Sequence, residues 1–290
     1  MKIAVFGILP FSDLIKQGFL NLEHFISNDN PDLIYSNDPM GYQDAIFLKQ
    51  NYPKARLILN ILDIPWHFPN IEKQTQYLVN RFLSKADQIT TISNKVRKDL
   101  NQFLKKEIYE KIKVIYNPTK DVYFDKSIQK DNDFLFVGRA NDPIKRFKLV
   151  KESLEKIKEG NRNIKICGQE NPNFGNFLGY VSDKKLNELY NASNFVFLPS
   201  KAEGIGLPMI EAMICGSIPI TCSDNLTAKE FSPTDFICEP NAQSIVSKIE
   251  ELDKDYDNKK KLALEYGKKY KIQFNKKNIT NNILNIFNSR

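Results

Sequence analysis

Glu203 and Glu211 lie eight positions apart, at the two ends of the segment Glu203-Gly204-Ile205-Gly206-Leu207-Pro208-Met209-Ile210-Glu211. Residues 194–200 ahead of it read as a buried strand running into a turn. Residues 209–215 behind it read as a helix, with Pro208 close to its first turn and Gly216 as its stop. A strand, a loop with two glycines and a helix N-terminus aim several backbone N–H groups the same way, which suits an anion. Glu203 is expected on the loop and Glu211 on the first helical turn, so both carboxylates can face that anion. Carboxylates beside a phosphate make sense when the ligand also carries hydroxyls, as a ribose and a hexose do.

A second pair of residues points to the same chemistry. Gly138 and Arg139 follow the strand-like run 134–137, and Lys145 is expected to open the next helix. The strand end places Arg139 at the carboxyl edge of the sheet, where open α/β sheets bind ligands. Two cations there would neutralise a pyrophosphate and the charge that develops as it leaves. Taken singly, each of these residues reads more simply as an ordinary solvated side chain; their combination with the paired-glutamate loop favours the phosphate role.

The elements that must position them alternate along the whole chain. Strand-like runs fall at 3–6, 33–36, 57–62, 88–92 and 112–115, with helical stretches near 41–50, 70–84 and 94–106. After position 118 strands read at 134–137, 164–167, 194–198, 218–221 and 235–238, and helices at 145–158, 182–191, 207–215 and 242–252. Such alternation predicts α/β architecture with parallel sheets and crossover helices. Asn117-Pro118-Thr119 and the polar stretch after it mark a domain boundary.

These motifs together resemble retaining nucleotide-sugar glycosyltransferases of family 4 (glycosyl transferases group 1). Beyond the paired glutamates, the ordered matches are Ile89-Thr90-Thr91-Ile92-Ser93, Lys113-Val114-Ile115-Tyr116-Asn117-Pro118, Phe136-Val137-Gly138-Arg139 with Lys145, and Phe177-Leu178-Gly179-Tyr180-Val181-Ser182-Asp183. They span residues 85 to 240. The resemblance implies a GT-B fold, two Rossmann-like parallel-sheet domains facing a cleft, with a shortened N-terminal domain. Residues 1–118 would form the acceptor side and 119–275 the nucleotide-sugar-binding domain, with 276–290 a helix crossing back to the first. The implied activity is metal-independent hexosyl transfer from a nucleotide-diphosphate sugar to a hydroxyl on a sugar, a glycan or a lipid-linked acceptor. A donor substrate rather than a cofactor is implied. Donor contacts fall to Arg139, Lys145, Glu203, Gly204, Ile205, Gly206, Leu207 and Glu211. Glu211 would take the ribose hydroxyls and Glu203 those of the transferred sugar, while Arg139 and Lys145 take the phosphates. The 177–183 segment would lie near the base. The family often carries a His-Asp pair at a strand end; here Leu62 precedes Asp63, so His67 either substitutes from four residues on or packs with Trp66 and Phe68.

The remaining features bound these expectations. At 290 residues, 41% hydrophobic and 27% charged, the composition is that of an ordinary soluble protein, and no apolar run reaches spanning length. The N-terminus reads as a strand rather than a secretory signal. Cys167, Cys215, Cys222 and Cys238 form no C-x-x-C pair and read as buried free thiols of a cytoplasmic protein. The net charge of +7 is spread out, with 15 basic and 12 acidic residues before the boundary, which argues against a nucleic-acid groove. Lysines at 259–261, 268, 269, 271, 276 and 277, interleaved with Tyr266, Tyr270 and Phe274, read as a solvated helical face or as peripheral contact with an anionic inner membrane surface. Asp131/Asp133 and Asp253/Asp255 have Asp-x-Asp spacing but read as solvated surface, so no metal site is expected. Gly7-Ile8-Leu9-Pro10 stands where a dinucleotide fingerprint would be needed, which excludes a Rossmann oxidoreductase. A non-catalytic nucleotide-sugar-binding or scaffolding subunit with the same fold is the alternative of another class.

Overall fold

The computed structural model describes residues 1–7, 11–62, 81–157 and 163–289. Asp63 and His67 lie outside them. The chain divides into two compact units, Met1–Lys120 with Gln273–Arg290, and Asp121–Ile272.

The first unit is built on β1 (Lys2–Phe6), β2 (Phe25–Ile26), β3 (Leu33–Ser36), β4 (Arg56–Ile61), β5 (Gln88–Thr91) and β6 (Ile112–Val114), all parallel, in the order β2-β1-β3-β4-β5-β6. Its described helices are α1 (Phe11–Leu20), α2 (Tyr42–Asn51), α3 (Asn94–Leu100) and the single turn α4 (Lys106–Tyr109). The continuous stretch expected at 94–106 therefore stops six residues early. Ser93 starts α3 by accepting a hydrogen bond from the Val96 amide at 3.1 Å.

The second unit carries β7 (Asn132–Val137), β8 (Ile164–Cys167), β9 (Asn176–Gly179), β10 (Ser193–Leu198), β11 (Ile218–Cys222) and β12 (Ile237–Cys238), again all parallel, in the order β12-β11-β10-β7-β8-β9. Its helices are α5 (Phe147–Lys156), α6 (Asp183–Ala192), α7 (Leu207–Ile214), α8 (Leu226–Phe231), α9 (Ala242–Lys254) and α10 (Tyr256–Gln273). The first half of the strand expected at 235–238 is instead part of a 3-10 turn, Thr234–Phe236, leaving Ile237 and Cys238 to pair with β11. Phe134, Phe136, Phe195 and Phe197 sit on neighbouring β7 and β10; all four are buried, and the Phe134 ring meets those of Phe195 and Phe197 across the ladder. Apolar strands buried on both faces are the signature of a parallel sheet covered by helices.

The last helix, α11 (Lys276–Asn288), belongs to the first unit and packs on α1. Ile279 and Ile283 complete a core with Ile3, Val5, Ile15, Phe19, Leu33 and Tyr35. Where the chain re-enters this unit, the Thr119 amide donates to the Phe274 carbonyl at 2.8 Å and the Tyr116 ring stacks on Phe274. In the lysine-rich run, Lys261, Lys268, Lys269 and Lys271 are exposed, whereas Tyr270 and Phe274 point inward and are buried. All four cysteines are buried and free. Among the described residues no helix is long and apolar enough to cross a membrane.

Candidate active site

In the second sheet the strand order reverses between β7 and β10. Chain from β7 runs outward to β8 and β9, and chain from β10 runs the other way. The loops leaving the carboxyl ends of these two strands therefore diverge, and ligands of open α/β sheets bind in the crevice this creates. Arg139 and Lys145 are on the first loop and Glu203 is on the second.

Arg139 is 60% exposed and forms a two-pronged ion pair with Asp142, Nε at 3.2 Å and Nη2 at 2.5 Å from the same oxygen. Asp142 also caps a 3-10 turn, Pro143–Lys145, by accepting from the Ile144 amide at 2.9 Å. Lys145 thus closes this turn instead of opening α5, and Arg146 intervenes in a left-handed conformation before the helix begins at Phe147. The local cause is the Asp142-Pro143 start, which favours a capped turn. Lys145 Nζ lies 2.6 Å from Glu203 Oε1, with both side chains about four-fifths buried (21% and 20% exposed). The Lys201 amide donates to the Ile144 carbonyl at 2.8 Å, tying the two loops through their backbones as well.

Gly206 precedes α7 at φ +71 and ψ +46, a region where a side chain would be strained. Its conformation turns the chain so that Leu207 and Pro208 begin the helix directly. Ile205 and Gly206 are buried, while Gly204 and Leu207 are half-buried. Because the helix starts at Leu207, Glu211 falls in its second turn rather than its first. It is only 9% exposed and accepts a hydrogen bond from the buried Tyr190 hydroxyl at 3.2 Å. Burial and the Glu211 carboxylate push the Tyr190 phenol far above its ordinary value, so it stays a donor.

Beside this lies a cavity of about 220 Å³ at the ends of β7, β8 and β9, lined in part by Gly138, Arg139, Gly168, Gln169, Tyr180 and Val181. Gly168 permits it: a Cβ there would stand 2.2 Å from the Gly138 carbonyl oxygen, so any side chain would force the β7 and β8 loops apart. Tyr180 presents an exposed ring at the mouth.

The structure thus brings together Arg139, Lys145, Glu203, Gly204, Ile205, Gly206, Leu207 and Glu211 in one unit, and leaves His67 outside the described residues. Sequence reasoning missed Asp142, Arg146, Tyr190 and Asp224. The Asp142-Pro143 dipeptide is a readable cap signal. Nothing local distinguishes Tyr190, which meets Glu211 only through packing of α6 on α7. The Asp-x-Asp pairs stay apart from the site: Asp133 accepts from the Asn163 amide, and Asp255 pairs with Lys259 and Asn258. Among the described residues no three His, Cys, Asp or Glu side chains are grouped as metal ligands.

Burial pushes the Asp142 carboxyl up, yet hydrogen bonds from Arg139 and the Ile144 amide bring it below its ordinary value of 3.8. The Arg146 guanidinium does the same for Asp224, and the Lys259 ammonium for Asp235. Depressed carboxyls stabilise the fold fully above that ordinary value, and the contribution is lost as pH falls through their lowered ones. The melting temperature should accordingly hold between about pH 7 and pH 5 and drop below about pH 4. Asp224→Asn should flatten that drop; an unchanged slope in the variant would contradict the assignment.

Residues 120–271 match the family model of Glycosyl transferases group 1. The chain is 32% identical over 112 residues to the O-antigen chain mannosyltransferase B of Escherichia coli, covering 38% of this chain and 29% of that protein. It is 28% identical over 177 residues to the O-antigen chain mannosyltransferase RfbU of Salmonella typhimurium, covering 55% and 49%. It therefore spans less than half the length of either curated relative. Among solved structures, Anabaena Alr3699/HepE in complex with UDP and glucose superposes with a TM-score of 0.72 at 18% identity, covering 94% of this chain and 80% of that one. Two parallel six-stranded sheets with flanking helices are the GT-B architecture of such glycosyltransferases. With more than half of its residues matched, the chain belongs to the glycosyl transferases group 1 family.

Proposed function

We propose that this chain is a retaining family 4 hexosyltransferase, moving a hexose from a nucleoside-diphosphate sugar to a hydroxyl of a sugar, glycan or lipid-linked acceptor without a metal ion. The observation that carries the reading is the Lys145–Glu203 pair at the strand-order reversal, 2.6 Å apart and shielded from water, next to the 220 Å³ cavity. Arg139 and Lys145 take the phosphate oxygens, Glu203 the hydroxyls of the transferred sugar and Glu211 those of the ribose. Hydroxyl-to-carboxylate bonds are charge-assisted, which suits both acids. The base occupies the cavity, against the Tyr180 ring.

In the transfer, the bond from the anomeric carbon to the diphosphate oxygen breaks as the bond to the acceptor oxygen forms on the same face. The acceptor proton passes to the departing phosphate, whose growing charge meets the two cations. Residues 1–118 supply the acceptor side, and the work takes place in the cytoplasm. UDP in the Anabaena structure and the mannosyltransferase names of both curated relatives support a nucleotide hexose as donor.

The test is transfer in the presence of EDTA, with a panel of nucleoside diphosphates screened first by thermal shift. A ligand at 100 times its dissociation constant adds about 2.7 kcal/mol, so the right base will stand out. The product's anomeric proton should show an α-glycoside from an α-linked donor. A β-linkage would overturn retention, and activity that returns only with Mg²⁺ or Mn²⁺ would overturn metal independence.

A further inference from the structure

Arg146 holds a conformation that a residue with a Cβ adopts at a cost, φ +52 and ψ +40, immediately after Lys145. Its guanidinium grips Asp224 with two hydrogen bonds, one of 2.8 Å from Nη1 to Oδ1 and the other from Nη2 to Oδ2. The Arg146 side chain is largely buried, and the pairing holds its guanidinium above and the Asp224 carboxyl below their ordinary values.

Asp224 lies on the loop after β11, the strand next to β10, which is itself next to β7. Asn225 accepts from the Thr227 amide to start α8, and the Thr227 hydroxyl donates to the Glu203 carbonyl at 2.6 Å. The connections close on themselves: Lys145 to Glu203, Glu203 to Thr227, the chain from Thr227 back to Asp224, Asp224 to Arg146, and the peptide bond back to Lys145. Loops from three adjacent strands are bound into one ring that runs through the Lys145 ammonium. A four-carbon side chain is flexible at its own torsions, so where it delivers its charge depends on how its backbone is held.

We propose that the Arg146–Asp224 pair is a positioning element for the phosphate site, fixing the left-handed residue after Lys145 and hence the direction in which Lys145 presents its charge. This rests on the assignment of Lys145 to the donor phosphates. Neither residue touches the substrate in this scheme, and both act through Lys145.

The test uses the full chain with Arg146→Gly, Asp224→Ala and the exchanged pair Arg146→Asp with Asp224→Arg. Glycine adopts the left-handed conformation without strain, and aspartate tolerates it. Arg146→Gly should therefore melt within about 2 °C of wild type, relief of strain offsetting the lost pair. Affinities are read by competition for UDP against uridine and for GDP against guanosine. Each single variant should bind the favoured diphosphate about tenfold more weakly, as coupled neighbours do, with nucleoside affinity unchanged. The exchanged pair should recover most of that loss.

Diphosphate affinity that stays at the wild-type level in both single variants overturns the proposal, as does an equal fall for nucleoside and diphosphate. If the wild-type chain binds none of the nucleoside diphosphates in the panel, the donor-site reading fails and the proposal goes with it. Binding by wild type with no effect in the variants fails the proposal alone.

Discussion

Lys145→Ala should lower kcat/KM by about 10²–10³-fold while the protein still folds, because one preorganised charge at a leaving group is worth that much in a shielded site. The shielding is visible: the Lys145 and Glu203 side chains are about one-fifth exposed and their charged atoms are 2.6 Å apart. Alanine removes the charge that meets the departing diphosphate and leaves the Glu203 carboxylate without its nearest cation. Both consequences act on the transition state, so kcat should fall with kcat/KM. Arg139 is more exposed and already shared with Asp142, so Arg139→Ala should cost less. Steady-state kinetics of the two variants, with melting curves as a folding check, decide the matter. A Lys145→Ala enzyme within about threefold of wild type would remove this residue from the chemistry, since the loss would then be under 1 kcal/mol.

The two glutamates should fail in different ways. Glu203→Gln is expected to reduce kcat by about 100-fold with little change in nucleoside-diphosphate affinity, since a contact to the transferred sugar can strengthen as the bond breaks. Glu211→Ala is expected to weaken nucleotide binding and to destabilise the fold as well. Its carboxylate is 9% exposed and holds the Tyr190 hydroxyl, which the substitution would leave buried without this acceptor. An abandoned buried donor costs about 1–3 kcal/mol, so a lower melting temperature should accompany the affinity loss. Glu211→Gln keeps an acceptor for Tyr190 and should recover the stability while still binding nucleotide poorly. Equal loss of nucleotide affinity in Glu203→Gln and Glu211→Ala would reject the division of roles.

How far such roles can be read from sequence depends on how local their causes are. β7 and β10 are short apolar runs rich in phenylalanine, and the start of α7 follows from Gly206 and Pro208 standing together. Each is decided within a few residues and was legible. α1 was not, because its buried face is Ser12, Ile15, Gly18 and Phe19, and two of those four are too small to register as apolar periodicity. β9 was read only as a segment near a base, since Asn176-Phe177-Leu178-Gly179 is half-buried at a sheet edge and has no β-branched residue. The site divides along the same line. Arg139, Lys145 and Glu203 stand at strand ends that sequence can place. The burial of Glu211 under Tyr190 and the grip of Arg146 on Asp224 join residues 21 and 78 positions apart, which no local pattern encodes.

α11 gives the order of synthesis a consequence. Ile279 and Ile283 fill the core of the first unit, yet they leave the ribosome only after every residue of 121–272. The amino-terminal sheet must therefore wait, with the apolar flank of α1 uncovered, while the neighbouring unit is made and can already fold. Domains usually complete in the order in which they emerge. Here the unit that starts first finishes last, because the residues that close its core are the last to be made.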